Sequence, residues 1–236
     1  MDVFCKVLIE CGFSRIDGSG NKCKIVLGVP GCGKSSCIRK LINLDSRFIA
    51  ATFGTPDPLN VTGRRIRSII ELTASDCAEK YLLLDEFQLG DYEEFKPFAL
   101  FGDVCQFYDS DKPYPIADWH KVVSHRVNKN TCDFLQKFNF EITSSVPGDL
   151  IFGGLYEKEL QGTVVTYCTQ VSKLLRAHGV EHYSIADCRG SEFVNVTLCL
   201  SDSVVHQKDL AKFYVCATRS RGNLLILTPD ASEPST

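Results

Sequence analysis

The sequence predicts an α/β protein of two small domains with mostly parallel sheets and a cleft between them. Three observations predict it. Short apolar runs alternate with helical spacings along the chain, the rhythm of strands joined by crossover helices. Two of the runs, Tyr81–Leu84 and Phe98–Phe101, are continuous and close on acidic residues, as strands buried on both faces do. A polar, proline-stiffened stretch, Asp109-Ser-Asp-Lys-Pro-Tyr-Pro115, then interrupts the rhythm and divides the chain into 1–112 and 113–236.

Taken in order, Lys24–Leu27 is a β-branched apolar run that ends in glycines, a strand leading into a turn. Ser35–Asn43 carries Cys37, Ile38, Leu41 and Ile42 at helical spacing. Arg47–Thr52 reads as a strand and Gly54–Pro58 as a loop, by its Pro and Gly content. The two continuous runs complete the first series. In the second, Thr163–Cys168 and Glu181–Ile185 read as strands around a helix at Gln170–Ala177. Val194–Leu200 and Asn223–Thr228 read as two more, around a helix near Lys208–Ala217. The tail from Pro229 to Thr236 is expected to fray.

Composition narrows the class. The 236 residues carry 26 Lys+Arg against 29 Asp+Glu, a net charge of −3, with 44% hydrophobic residues. These values exclude a disordered chain, a fibre and a coiled coil. They also exclude a protein drawn to nucleic acid by its overall charge, so any such binding must use local basic patches. The twelve cysteines contain no C-x-x-C pair, which removes the usual zinc signature, and most lie in apolar segments as small hydrophobes. Asp2, Lys6 and Glu10 interrupt the amino-terminal apolar residues, so no signal peptide is expected. No run reaches the roughly 18 apolar residues of a membrane span. The expectation is a cytoplasmic protein with no direct membrane insertion, reaching membranes only through a partner.

The chemistry concentrates at Gly28-Val29-Pro30-Gly31-Cys32-Gly33-Lys34-Ser35, which fits G-x-x-x-x-G-K-[ST] at every fixed position, with a strand before and a helix after. Glycines let the backbone wrap phosphates, and the helix beginning near Lys34 adds its positive end. Together with Ser36, these residues form the expected ATP-binding set. Lys34 reaches the β- and γ-phosphates, and the Ser35 hydroxyl can ligate Mg²⁺. Asp85, at the end of a buried strand, is the expected second Mg²⁺ ligand, and Glu86 the group that orients or deprotonates the attacking water. Gly102-Asp103 repeats the pattern on a third strand, with Gln106 nearby as a γ-phosphate sensor.

With these residues in place, the chain resembles the superfamily 1 helicases of plant viruses from about Lys24 to Leu227. Gly28–Ser35 resembles motif I, Asp85-Glu86-Phe87-Gln88 motif II and Gly102-Asp103-Val-Cys-Gln106 motif III. Ser124-His-Arg126 resembles motif IV, and Tyr214-Val-Cys-Ala-Thr-Arg219 motif VI. Asp187-Cys-Arg-Gly190-Ser-Glu-Phe193 keeps the Gly and Phe of motif V but has Arg189 where the family usually has Gln. The short chain is similar to the triple gene block movement-protein family of potexvirus- and carlavirus-like plant viruses. The resemblance implies two RecA-like domains, an RNA-stimulated ATPase, and Arg219 and Arg126 reaching ATP across the cleft. It also implies single-stranded viral RNA as partner, with Arg64, Arg65, Arg67, Lys208, Lys212 and Arg221 on its phosphates and Phe53 or Tyr108 as stacking candidates. It further implies self-association, contact with viral membrane-bound movement proteins, coat protein and host silencing factors, and residence in host cytoplasm, inclusions and plasmodesmata. Two other readings compete: an RNA-binding silencing suppressor that uses ATP only structurally or not at all, and a P-loop kinase, against which the repeated α/β rhythm after Pro115 argues.

Overall fold

The computed structural model describes residues 3–16, 22–106, 115–188 and 190–235. Most of the interrupting stretch at 109–115, with Tyr108 and Arg189, lies outside them. The chain divides into two compact units, Met1–Val104 with Asp111–Val122, and Cys105–Ser110 with Val123–Thr236.

The first unit runs α1 Val3–Glu10, β1 Ser14–Arg15, β2 Lys24–Gly28, α2 Lys34–Leu44, β3 Phe48–Thr52 and β4 Ile66–Ser68, then α3 Ala74–Glu79, β5 Tyr81–Asp85, β6 Ala99–Gly102 and β7 Trp119–Lys121. Among the described residues its strands form one sheet in the order β1-β7-β2-β6-β5-β3-β4, parallel except for β1 against β7. Leu82, Leu83 and Leu84 are buried, as are Leu100 and Phe101, because helices cover both faces of a parallel sheet. Helix α1 buries Phe4, Val7 and Leu8. Phe4 meets Phe98 edge-on with ring centroids 5.2 Å apart, inside a cluster that also holds Phe48 and Phe101. Strand β7 lies beyond residue 112, yet pairs with β2, so the first sheet extends past the proline-stiffened stretch.

The second unit runs β8 Val123–Ser124, α4 Lys129–Gln136, β9 Thr143–Ser144, β10 Leu150–Gly154, β11 Thr163–Val165 and α5 Thr169–Ala177, then α6 Ile185–Cys188, β12 Val196–Cys199, α7 Leu210–Ala217 and β13 Leu224–Thr228. Its main sheet, β10-β13-β12-β11, is entirely parallel. Every residue of β12 and β13 is buried. Helix α7 buries five consecutive residues, Phe213–Ala217, so it is a core helix rather than an amphipathic cover.

Two sequence expectations are corrected. Glu181–Ile185 forms no strand: it makes one bridge, Val165 with Tyr183, and turns into α6, whose start is capped by Ser184 and Asp187 side chains. The tail does not fray as expected. Val205 and Ser235 bond through their backbones, and Lys137 Nζ lies 2.5 Å from Glu233.

The aromatic cluster anchors α1 to its sheet. Phe4→Ala is therefore expected to cost about 3–5 kcal/mol in urea unfolding. Ile9→Ala, on the half-exposed face of the same helix, should cost less than about 0.5 kcal/mol.

Candidate functional site

The parallel register brings three strand ends to one rim. Leu27 on β2 pairs with Gly102 on β6, and Asp85 on β5 pairs with Phe101. Gly28, Asp85 and Asp103 therefore leave the sheet side by side, although β6 separates the strands carrying the other two. Carboxyl ends of parallel strands are where open α/β sheets bind ligands.

At Gly28 the chain enters a tight loop. A Cβ there would sit 2.4 Å from Cys32 Sγ, so only glycine fits. Gly31 and Gly33 have φ of 74° and 97°, conformations that glycine adopts without strain and that return the chain into α2 at Lys34. The Lys34 side chain folds back inside the loop. Its Nζ donates to the carbonyls of Gly28 at 2.7 Å and Val29 at 3.2 Å, and the residue is buried. Burial opposes its charge, but Cys32 and the carboxylates of Asp103, Glu86 and Asp85 outweigh it and hold the ammonium above its usual pKa. Val29, Pro30 and Cys32 are buried walls of the loop, and Ser36 is exposed on the first turn of α2.

Ser35 Oγ donates to Asp85 Oδ2 at 2.7 Å, and the Glu86 amide donates to Oδ1 at 3.1 Å. Burial first, and then the neighbouring Glu86, push the Asp85 carboxyl up to about 6. Glu86 has φ 53°, left-handed and costly for a residue with a side chain, the kind of strain that concentrates at functional sites. This turn lays Glu86 against Gly54, where an added Cβ would meet its Cγ at 3.2 Å. Gln88 Nε2 donates to the Glu86 carboxylate, an orienting contact that sequence reasoning missed. The signal was present: the spacing Glu-x-Gln, folded into the short turn Phe87–Leu89, returns the amide over the acid.

The loop fits a phosphate chain and a hard cation. Ser35 and Asp85 offer oxygen donors of the type Mg²⁺ prefers. Among the described residues no group of three or more His, Cys, Asp or Glu could hold a metal by itself. A cation here must complete its shell with phosphate oxygens and water.

The remaining predicted residues are placed within their own units. Gln106 is on the turn Val104–Gln106, just beyond Asp103. Arg219 is buried at the end of α7, where its Nε donates to the Val215 carbonyl at 2.9 Å and caps the helix. Arg126 and Arg221 converge on one carboxylate, Glu192, a residue that sequence reasoning passed over. Lys212 pairs with Asp209 at 3.0 Å, while Lys208 lies exposed on the preceding turn. Arg64 and Arg65 lead into β4 and Arg67 lies on it, at the edge of the sheet. Phe53 packs edge-on to Phe95.

A phosphate loop on a parallel sheet, with an acid two strands away, is the arrangement of a P-loop nucleotide-binding core. Residues 24–228 match the viral superfamily 1 RNA helicase core domain. The movement and silencing protein TGBp1 of Lily symptomless virus is 41% identical over 98% of both chains. Its counterpart in Chrysanthemum virus B is 37% identical over the full length of both. The chain belongs to the viral superfamily 1 RNA helicase family and, within it, to the TGBp1 movement and silencing proteins. Among solved structures, the arterivirus nonstructural protein 10 helicase in complex with DNA shares the fold, with a TM-score of 0.54 at 18% identity. The chain covers 58% of that helicase, and 96% of the chain takes part.

The Glu192 clasp has a pH signature. Burial raises its pKa, but Arg126 and then Arg221 outweigh this and leave it below the usual carboxylate range. The clasp then stabilises above the unfolded pKa and is lost as pH falls through the lower folded value. Glu192→Gln should cost about 1 kcal/mol near neutral pH. In thermal unfolding the difference from wild type should shrink steadily as the buffer is taken below about pH 4.

Proposed function

We propose that the chain is an ATP-hydrolysing, RNA-stimulated helicase-type motor serving virus movement and silencing suppression. The observation that carries this reading is the Lys34, Ser35 and Asp85 constellation at the carboxyl rim of the first sheet. Backbone amides of Gly31–Ser35 and the start of α2 bind the phosphates of ATP, and Lys34 transfers from its two carbonyls to the β- and γ-phosphate oxygens. Ser35 and Asp85 hold Mg²⁺, which when bound neutralises charge on the departing phosphate oxygens. Glu86, fixed by Gln88, orients the attacking water and accepts its proton. Gln106 reports the state of the γ-phosphate. Arg219 and Arg126 are the guanidiniums assigned to the transferring phosphoryl group, each releasing its present acceptor to do so.

Single-stranded viral RNA is the expected polymer. Lys208, which among the described residues has no carboxylate partner, is the better phosphate contact of its neighbourhood, with Lys212 and Arg221 contributing after they release their acids. Self-association and contacts with membrane-bound viral movement proteins, coat protein and silencing factors, in host cytoplasm and plasmodesmata, complete the reading. The TGBp1 names of the relatives support its movement and silencing parts.

A second reading draws on the buried, helix-capping Arg219. If that guanidinium never leaves Val215, ATP serves only as a structural ligand of an RNA-binding silencing suppressor. ATP hydrolysis with and without single-stranded RNA separates the two. Wild type should be stimulated by RNA, and Lys34→Ala should lose at least about 100-fold in kcat. Arg219→Ala should lose a similar factor while still binding ATP. Wild type that binds ATP but does not hydrolyse it at any RNA concentration would overturn the motor reading in favour of the second.

A further inference from the structure

The first unit also has a cavity with a cationic lining, at the end of the sheet away from the phosphate loop. The register locates it. Ile66 on β4 lies opposite Ala50 on β3, Ala50 opposite Leu83 on β5, Leu83 opposite Ala99 on β6, and Ala99 opposite Lys24 on β2. Ile66 is thus level with the first residue of the strand whose last residue, Gly28, opens the phosphate loop. Four residues of strand span roughly 13 Å. Arg64 and Arg65 precede Ile66 and lie at the amino-terminal rim.

A cavity of about 310 Å³ opens at this rim, lined among others by Ser46, Thr62, Arg64, Arg65, Arg67 and Lys80. Its lining holds four cationic side chains and no carboxylate. The acids nearby are already committed. Asp57 is gripped by Arg39 at 2.6 Å and also accepts the Ile66 amide. Glu71 pairs with Arg65, and Asp76 with Arg67 at 3.4 Å. Arg64 and Lys80 remain. Among the described residues, Arg64 donates only to the backbone carbonyl of Asn43, and Lys80 has no acidic partner. Two cations without a carboxylate partner and the Ser46 hydroxyl therefore face one concave space, while the Thr62 hydroxyl already donates to Asn60 Oδ1 at 3.1 Å. Its apolar floor includes Phe48, which is buried and offers no ring face for a base to stack on.

We propose that this cavity holds a backbone phosphate of single-stranded RNA, as a grip separate from the ATP site and indifferent to sequence. The chemistry matches a phosphodiester. A guanidinium fork, an ammonium and the Ser46 hydroxyl satisfy its oxygens, while no group is arranged to read a base edge. The position sets the consequence. Nucleotide-driven changes begin at the carboxyl rim, whereas Arg64 and Lys80 precede β4 and β5 at the other end of the strands; Arg67, on β4, lies one residue short of the level of Asp85. RNA gripped here stays bound through the hydrolysis cycle, which suits cargo that must be carried as well as traversed. The proposal rests on the RNA-binding reading above.

The test uses the full chain and labelled oligouridine, with binding followed by anisotropy over a salt titration without nucleotide. Arg64→Ala with Lys80→Ala should weaken binding about tenfold and flatten the slope of log K against log salt by about 1.4, two contacts at about 0.7 each. The exchange Arg64→Lys with Lys80→Arg should restore most of both, and Lys34→Ala should change neither. ATP binding by the double alanine variant should be unchanged, which also reports an intact first unit. Unchanged affinity and slope in the double alanine variant would overturn the cavity assignment and leave RNA binding elsewhere intact. Wild type that fails to bind oligouridine at any salt would overturn the RNA reading and the cavity with it. Loss of binding to phosphatidylserine vesicles with RNA binding preserved would reassign the cavity to a membrane surface. Equal weakening by Lys34→Ala would overturn its independence from the ATP site.

Discussion

A buried ammonium has to be answered by oxygen, and the first unit is organised around that requirement. Lys34 sits within hydrogen-bond reach of the Gly28 and Val29 carbonyls and faces three carboxylates. Without them the charge would be too costly to bury. Meeting the requirement places Gly28 where no side chain fits, forces Gly31 and Gly33 into left-handed turns and fixes where α2 begins. Parallel register then delivers Asp85 and Asp103 to the same rim. A parallel sheet followed by helices brings helix amides and the strand-end acids to its carboxyl rim, so the site is as much a property of topology as of the motif.

The acid of the site is held by opposing electrostatic effects. Burial and Glu86 push the Asp85 carboxyl up to about 6, while the Ser35 hydroxyl and Lys34 pull against that shift. The short bond from Ser35 keeps that carboxylate aligned with the hydroxyl that shares its proposed ligand. Glu86 stays in a strained backbone conformation because Gly54 makes room for its side chain and Gln88 holds its carboxylate. Strain that the neighbours over-determine in this way is a means of aiming a group that must act on water.

The second unit is governed by competition for guanidiniums. Glu192 takes both Arg126 and Arg221, and the end of α7 takes Arg219. Arginines that resemble catalytic and RNA-contacting residues thus begin in internal bonds. Any role on a phosphate requires exchange of one anionic or carbonyl acceptor for another, a trade that costs little when the incoming group carries more charge.

Much of this was legible in the residues alone. Strands β2, β3, β5, β6, β12 and β13 follow from apolar runs bounded by glycine, charge or turn residues, and the phosphate loop follows from eight adjacent residues. Such features are set by near neighbours in the chain, which sequence lists in order. The short strands β1, β4, β7, β8 and β9, unlike three-residue β11 within the Thr163–Cys168 run, carry no periodicity, because they exist only where a neighbouring strand offers backbone partners. Glu181–Ile185 has strand-like composition, yet local caps turn its end into a helix. Which charges are neutralised was likewise decided in three dimensions. Arg126 and Glu192 are 66 residues apart. Arg64 and Lys80 are left over because Asp57, Glu71 and Asp76 are spent on other cations. The chain order determined the chemistry available; distance in space, on which every Coulomb term depends, determined which of it is free to act.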